Sequence, residues 1–142
     1  MPLHPSSRIL KRALLAILLA TSSVCHAAGP TFTKQYAACL EDADGGGPLE
    51  RLTCMSEETK RQGGLLDAAY RAALQATPKA KQPNLREAQR SWLKFSSQNC
   101  EFFHNAETGT TPAEARAYCV MRMTAERKAE LDEIEAAAAG RG

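Results

Sequence analysis

Residues 48–76 read PLERLTCMSEETKRQGGLLDAAYRAALQA, and they contain the longest helical pattern in the sequence. Its apolar and neutral residues recur close to the 3.6-residue period of an α-helix; they are Leu49, Leu52, Met55, Thr59, Leu66, Tyr70 and Leu74. Pro48 suits the first position of a helix. The stretch therefore predicts one long helix. Gly63-Gly64 within it costs up to about 2 kcal/mol relative to Ala-Ala and marks an expected bend.

A shorter amphipathic segment precedes this helix. Phe32, Tyr36 and Cys39 follow a helical spacing, which predicts a helix from about Thr31 to Ala43. The glycine run 45–47 ends it, because glycine tolerates the left-handed conformation common at helix ends.

Two further helices are predicted after Pro78 and Pro83. Asn84 to Glu87 resembles a capping box and places the start of the third helix, which we expect to fade near His104. Its expected buried residues are Leu85, Ala88, Trp92, Phe95 and Phe102. The last helix begins at Thr111-Pro112-Ala113-Glu114, which combines a threonine cap, an early proline and a glutamate at the third position. Its apolar stripe is Val120, Thr124, Leu131 and Ile134.

Evidence for β-structure is weak, because valine and isoleucine are scarce and no run of alternating apolar residues occurs. The sequence therefore predicts an all-α fold, a small antiparallel bundle of three to four helices. We assign residues 28–135 to this helical domain. Residues 136–142, with the alanine run 136–139, are expected to form a frayed or disordered tail.

The N-terminal residues have the layout of a cleaved secretory signal, assigned to residues 1–27. Three basic residues precede an apolar run at 13–20, far shorter than the ~20 residues of a membrane-spanning helix. Cys25 and Ala27 are the small residues expected before the cut. The alternative is a lipoprotein signal acylated at Cys25, which Ser22-Ser23-Val24 fits poorly. We expect export to the periplasm or the extracellular medium.

Removal of this signal changes the net charge. The whole chain has 18 basic and 16 acidic residues and carries +2. The signal holds three of the basic residues and none of the acidic ones, which leaves the remainder at −1. This balance lacks the basic excess of nucleic-acid-binding proteins. We expect no nucleic-acid partner, no integral membrane span and no cofactor.

Four cysteines remain after the signal, namely Cys39, Cys54, Cys100 and Cys119. In a short exported chain they indicate two disulfides, for which three pairings exist. We favour Cys39 with Cys54 and Cys100 with Cys119, because each pair joins helices that are adjacent in the chain. Each bridge would stabilise the fold by roughly 3 kcal/mol in the loop-entropy description.

Residues suited to catalysis are few. His104 is the one histidine after the signal, and the chain has neither a nucleophile elbow nor a phosphate-binding glycine loop. Cys100 and His104 are four residues apart, but two ligands are too few for a closed zinc site. The carboxylate groups at Glu57-Glu58 and at 130–133 have basic neighbours, which favours a solvated helix face over a glycosidase pair. We expect no catalytic residue, no metal and no enzyme activity.

Other candidate binding residues have structural interpretations. The aromatic residues of the third helix fit a core better than a sugar-binding surface; they are Trp92, Phe95, Phe102 and Phe103. Several polar residues lie on or beside the apolar stripes, namely Thr59, Gln89, Thr124 and Arg127. Buried polar groups need hydrogen-bond partners. A network between helices is favoured over a functional groove, which stays open as the alternative.

The order of these residues resembles a known family. In chain order the pattern is Cys54-Met55, Leu66-x-x-x-Tyr70-x-x-x-Leu74, Gln89-Arg90-x-Trp92-x-x-Phe95, Cys100, Gly109-Thr110, Cys119 and Thr124-x-x-Arg127-x-x-x-Leu131. From about Tyr36 to Leu131 the chain resembles the lysozyme inhibitor LprI-like family of small exported bacterial proteins. Gly63-Gly64 departs from the uninterrupted helix expected there.

The resemblance implies a helical, disulfide-bonded envelope protein that binds and inhibits lysozyme or a related peptidoglycan hydrolase. The motif residues are expected to be structural; they are Tyr70, Gln89, Arg90, Trp92, Phe95, Thr124, Arg127 and Leu131. The candidate binding surface is the polar loop between the last two helices, with Asn105, Glu107, Thr108, Gly109, Thr110 and Thr111. The alternative function is a periplasmic adaptor or immunity-type binding protein with another protein partner. The oligomeric state is open.

Overall fold

The computed structural model describes residues 29–43, 47–104 and 111–140. The predicted signal, with Cys25, and residues 105–110 of the candidate loop lie outside the described residues. Within these ranges there are four α-helices and one 3-10 turn, namely α1 (Lys34–Ala43), α2 (Pro48–Ala76), the 3-10 turn Lys79–Lys81, α3 (Gln82–His104) and α4 (Pro112–Ala139). No strand occurs within the described ranges, and the predicted all-α fold is confirmed.

The longest helix, α2, runs through Gly63-Gly64 without interruption. It packs along α4 more extensively than any other pair of described helices, and this packing compensates for the low helix propensity of the two glycines. The buried side of α2 differs from the predicted stripe, since Leu49 is 72% exposed. The buried residues are Cys54, Glu58, Gln62, Leu66, Ala69 and Ala73. Glu58 and Gln62 are polar, so a search for apolar periodicity does not identify this face as buried.

The first helix begins three residues later than predicted. The backbone N–H of Thr33 donates to Glu58 at 2.9 Å, and the carbonyl of Thr31 accepts from Gln62 at 3.2 Å. These bonds to α2 hold residues 31–33 outside the helix, so that α1 begins at Lys34.

The third helix begins two residues earlier than predicted. The Gln82 side-chain amide donates to the carbonyls of Leu74 at 3.0 Å and Thr77 at 3.2 Å, which satisfies acceptors at the end of α2. The proposed cap Asn84 therefore lies inside the first turn of α3.

The prediction for the buried side of α3 is wrong at Ala88, Phe95 and Phe102. All three are exposed, the two phenylalanines by 56% and 68%. The buried line runs beside them through Leu85, Gln89, Trp92 and Cys100, of which Trp92 is only partly buried. Because Gln89 is polar and lies on the buried face, the apolar pattern indicated the adjacent, exposed face of α3 instead. The Phe103 side chain lies outside the described residues.

The start of α4 agrees with the sequence. Thr111 Oγ1 accepts from the Glu114 backbone at 3.2 Å, and the Glu114 carboxylate accepts from the Thr111 backbone at 3.2 Å. The helix extends to Ala139, which is four residues into the tail expected to be frayed. Alanine has the highest helix propensity, so the run 136–139 continues the helix.

Two disulfides join neighbouring helices. Cys39–Cys54 connects α1 to α2, and Cys100–Cys119 connects α3 to α4, as expected from their order in the chain. The described residues form three apolar clusters along the bundle. Their buried members are Tyr36, Ala43, Cys54 and Met121 beneath α1, then Leu66, Ala69, Ala73, Leu85 and Leu131, then Cys100, Cys119 and Met123.

Candidate functional site

A buried carboxylate joins α2 to the segment before α1. The Glu58 side chain is fully buried. Its Oε1 accepts from Thr33 N at 2.9 Å and Gln62 Nε2 at 2.7 Å. Its Oε2 accepts from Thr33 Oγ1 at 2.5 Å and Arg61 Nε at 2.9 Å. The interpretation of Glu57-Glu58 as a solvated pair is thus wrong for Glu58, because this side of α2 faces α1 and residues 31–33.

The protonation state of Glu58 follows from these bonds. Burial alone would raise its pKa, but hydrogen bonds from Thr33, Gln62 and Arg61 outweigh burial and lower the pKa to about 2. The group is therefore ionised at neutral pH, and both its oxygens are occupied by donors. A carboxylate in this state cannot act as a general acid, so Glu58 anchors the N-terminal segment.

A second polar network joins α3 to α4. Arg127 Nε donates to Gln89 Oε1 at 3.0 Å, and Arg127 Nη1 lies 2.7 Å from Glu130 Oε2. Gln89 is 9% exposed. Thr59 and Thr124 instead donate to carbonyls one turn earlier in their own helices. Of the four polar residues singled out by sequence, Gln89 and Arg127 are therefore brought together.

The described end of the candidate loop is fixed by α4. Thr111 Oγ1 donates to Glu114 Oε2 at 2.7 Å, and Arg51 Nε of α2 donates to Glu114 Oε1 at 2.8 Å. The hydrogen bonds from Thr111 and Arg51 lower the pKa of Glu114. The Cys100–Cys119 disulfide and Met123 lie beneath, with Cys100 Sγ 3.6 Å from Met123 Sδ. Both helices that flank the loop are thus joined to the core.

An open groove lies between α2 and α3, with α4 as its floor. α2 and α3 each pack on α4 but have no comparable packing against each other within the described residues. One cavity in the groove has a volume of about 430 Å³. Its walls include Thr59, Gly63 and Asp67 on α2 and Trp92, Leu93, Ser96 and Ser97 on α3, over Arg116, Val120 and Thr124 on α4. A second cavity of about 510 Å³ lies against Leu52, Ser56, Glu101 and Ala113 and shares Arg116 with the first.

Gly63 forms a notch in the α2 wall of the groove. No atom outside its own helix backbone lies within 4 Å of the position that a Cβ would occupy, and the same holds for Gly64 on the exposed side. The fold therefore does not require glycine at either position. The sequence showed the glycine pair but gave no reason to place one of the two in a groove.

The described residues offer little for other site chemistry. They contain no group of three or more histidine, cysteine, aspartate or glutamate side chains placed to hold a metal ion. Among the helices described, none has both the length and the apolar character needed to cross a membrane.

Comparison with known proteins identifies a family. The family model described as Lysozyme inhibitor LprI matches residues 39–131, about two thirds of the chain. The matched range includes both disulfides, all of α2 and α3, and α4 up to Leu131. No curated protein and no solved structure matches the chain at a significant level.

Proposed function

The chain belongs to the lysozyme inhibitor LprI family, and from this membership we propose that it binds and inhibits lysozyme or a related peptidoglycan hydrolase. The match over residues 39–131 is the observation that carries the proposal. An inhibitor of this kind performs no reaction. It acts by occupying a surface that the substrate needs.

The loop between α3 and α4 is the surface we propose for this contact. Its flanking helices are joined by Cys100–Cys119, and its last residue, Thr111, is bonded to Glu114, which also binds Arg51. Support at both ends reduces the conformational entropy lost when a loop binds, and this pre-organisation increases affinity.

The chemistry of the loop suits a glycosidase cleft. Glycosidases carry a pair of carboxyl groups at the scissile bond. Thr108, Thr110 and the backbone N–H of Gly109 supply uncharged donors. Such donors can bind a carboxylate without the large desolvation penalty of a buried ion pair.

Export is part of the proposal. Residues 1–27 would direct the chain to the periplasm or beyond, and the two disulfides suit an oxidising compartment. The inhibitor would then meet a hydrolase at the cell wall. The family membership and the disulfides support this location.

A turbidity assay tests the proposal. The oxidised chain from residue 28 onward is added to lysozyme acting on cell walls. We expect inhibition that rises with dose and disappears after reduction of the disulfides. Replacing Gly109-Thr110 by Ala-Ala should weaken inhibition by about tenfold, or about 1.4 kcal/mol, while Gln98→Ala on the exposed side of α3 should not.

Two results would count against parts of this proposal. Absence of inhibition at micromolar protein, with the helices intact by circular dichroism, would refute lysozyme as the partner. Full inhibition by the Gly109-Thr110 variant would instead refute the loop as the contact surface.

A further inference from the structure

The packing of α2, α3 and α4 can be compared with that of a four-helix bundle. In a four-helix bundle each helix packs against two neighbours and faces the fourth across the core. Here α4 packs against both α2 and α3, which lack comparable mutual packing within the described residues. α1 is not the fourth member, because it packs on the other side of α2, where Tyr36 contacts the cluster of Cys54 and Met121. The space between α2 and α3 is the groove described above.

The groove has the length of a short helix. Its lining on α2 extends from Leu52 to Asp67, which corresponds to about 22 Å at 1.5 Å per residue. Arg116 lines both cavities, which therefore lie next to each other along α2. Leu66, Leu93 and Val120 provide apolar contacts along the groove. An amphipathic helix lying in a groove uses anchors of this kind.

The walls of the groove allow a backbone to approach closely. Gly63 has no side chain, and Ser96 and Ser97 are small. Glycine is among the poorest helix formers, yet no neighbouring atom excludes a Cβ at position 63. Folding does not require glycine at position 63, whereas a bound helix that packs closely against α2 does.

The charges along the groove favour an acidic occupant. Lys60 and Arg71 on α2 and Arg86 on α3 stand one or two turns from lining residues on the same helix faces. None of the three forms an ion pair among the described residues. Asp67 is the one lining acid without such a pair, since Glu101 is bonded to Arg116. The groove therefore has a net positive border although the chain after the signal is acidic.

We propose that this groove binds an amphipathic helix of a protein partner, with an apolar stripe and acidic flanking residues. The site goes beyond hydrolase inhibition and needs no hydrolase to form. It would serve the adaptor function that remains the alternative for this chain.

Two other occupants fit the groove less well. A glycan would need a free aromatic face, but Trp92 packs against two core clusters. A second copy of the chain, placed groove to groove, would bring the same cationic borders together, which opposes association.

The single tryptophan, Trp92, lines the groove and provides a direct signal of occupancy. The probe is a synthetic helical peptide of about 18 residues, with a leucine and alanine stripe and glutamate flanks. We expect a saturable change in Trp92 fluorescence with the oxidised chain from residue 28 onward. A peptide with lysine flanks should bind at least about tenfold more weakly, because its charge matches the border.

Two glycine variants locate the site. Gly63→Gln places a side chain in the groove and should weaken binding of the glutamate peptide about tenfold or more. Gly64→Gln, on the exposed side of the same turn, adds an equal side chain and should leave binding unchanged. Circular dichroism of both variants shows whether each remains helical.

Three results would overturn the proposal. The first is the absence of a saturable signal with the glutamate peptide. The second is equal binding by the two glycine variants. The third is a stronger response to an N-acetylglucosamine oligosaccharide, or a dimer in sedimentation that the peptide does not disrupt, which would assign the groove to a glycan or to a second copy. The peptide experiments contain no lysozyme. A negative result in them therefore refutes the groove proposal without bearing on the proposed inhibition of lysozyme.

Discussion

On the side of α2 that faces α1, Glu58 is fully buried and accepts four hydrogen bonds. On the side that faces α3, Gly63 borders an open groove, and nothing lies within 4 Å of its missing Cβ. The side of α2 at Glu58 is thus closed, because the chain itself packs against it. The side at Gly63 is open, because it borders the groove. These sides belong to the same continuous helix, so local helix stability does not explain the difference.

Polar and small residues have different roles on the two sides of α2. A buried carboxylate persists only when its bonds are satisfied, so the residues around Glu58 are constrained by folding. The glycine in the groove has no such constraint. Substitutions on the closed side should therefore alter stability, and substitutions on the open side should alter binding.

The largest effect is expected at the closed side. Glu58→Gln keeps the shape of the side chain but removes its charge and leaves donors of Thr33 and Arg61 with a weaker or missing acceptor. We expect the free energy of unfolding to fall by about 2–3 kcal/mol. The matched control is Glu57→Gln, the adjacent residue with a side chain 60% exposed, which should change it by less than about 0.5 kcal/mol. Urea unfolding monitored by circular dichroism measures both.

Acid titration provides an independent check of the same group. The pKa of Glu58 is about 2 in the folded chain and near 4.5 when the group is free. A depressed pKa stabilises the fold above pH 4.5, and this contribution of about 3 kcal/mol is lost as the pH falls toward 2. The Glu58→Gln variant should lose less stability over that interval than the parent. Equal acid sensitivity of the two proteins would contradict the assigned role of Glu58.

A smaller effect is expected between α3 and α4. Arg127→Ala removes the partner of Gln89 and should lower the free energy of unfolding by about 1–2 kcal/mol. Arg122→Ala is the control, because Arg122 is a third exposed and its pair with Glu126 lies within one helix face; its effect should stay within about 0.5 kcal/mol. The proposed inhibition of lysozyme, measured per folded molecule, should be unchanged in both. Unaltered stability with lost inhibition would instead make Arg127 a contact residue.

Much of the fold could be predicted from local sequence. The bounds of α2 and the Thr111-Pro112-Glu114 start of α4 follow from turn and capping chemistry that acts within a few residues. The cysteine pairs follow the order of the helices. These features depend on neighbours in the chain, which a sequence displays directly.

The closed and open sides of α2 could not be predicted in this way. Glu58 and Gln62 are polar, and they are buried because they bond to Thr33 and Thr31, which are 25 and 31 residues away in the chain. Phe95 is apolar but 56% exposed, because the side of α3 that is buried is the one with Gln89, which binds Arg127. The groove exists because α2 and α3 do not pack closely against each other. Apolar periodicity does not predict which helices pack together.

The most direct test of this account is the free energy of unfolding of Gly63→Ala, measured by urea denaturation beside Gly64→Ala. Neither added Cβ meets a neighbouring atom, so each variant should be stabilised by about 0.5–1 kcal/mol. That result would show that the groove side of α2 is not needed for folding. Destabilisation by Gly63→Ala, with stabilisation by Gly64→Ala, would contradict the account, because the fold itself would then require the open side.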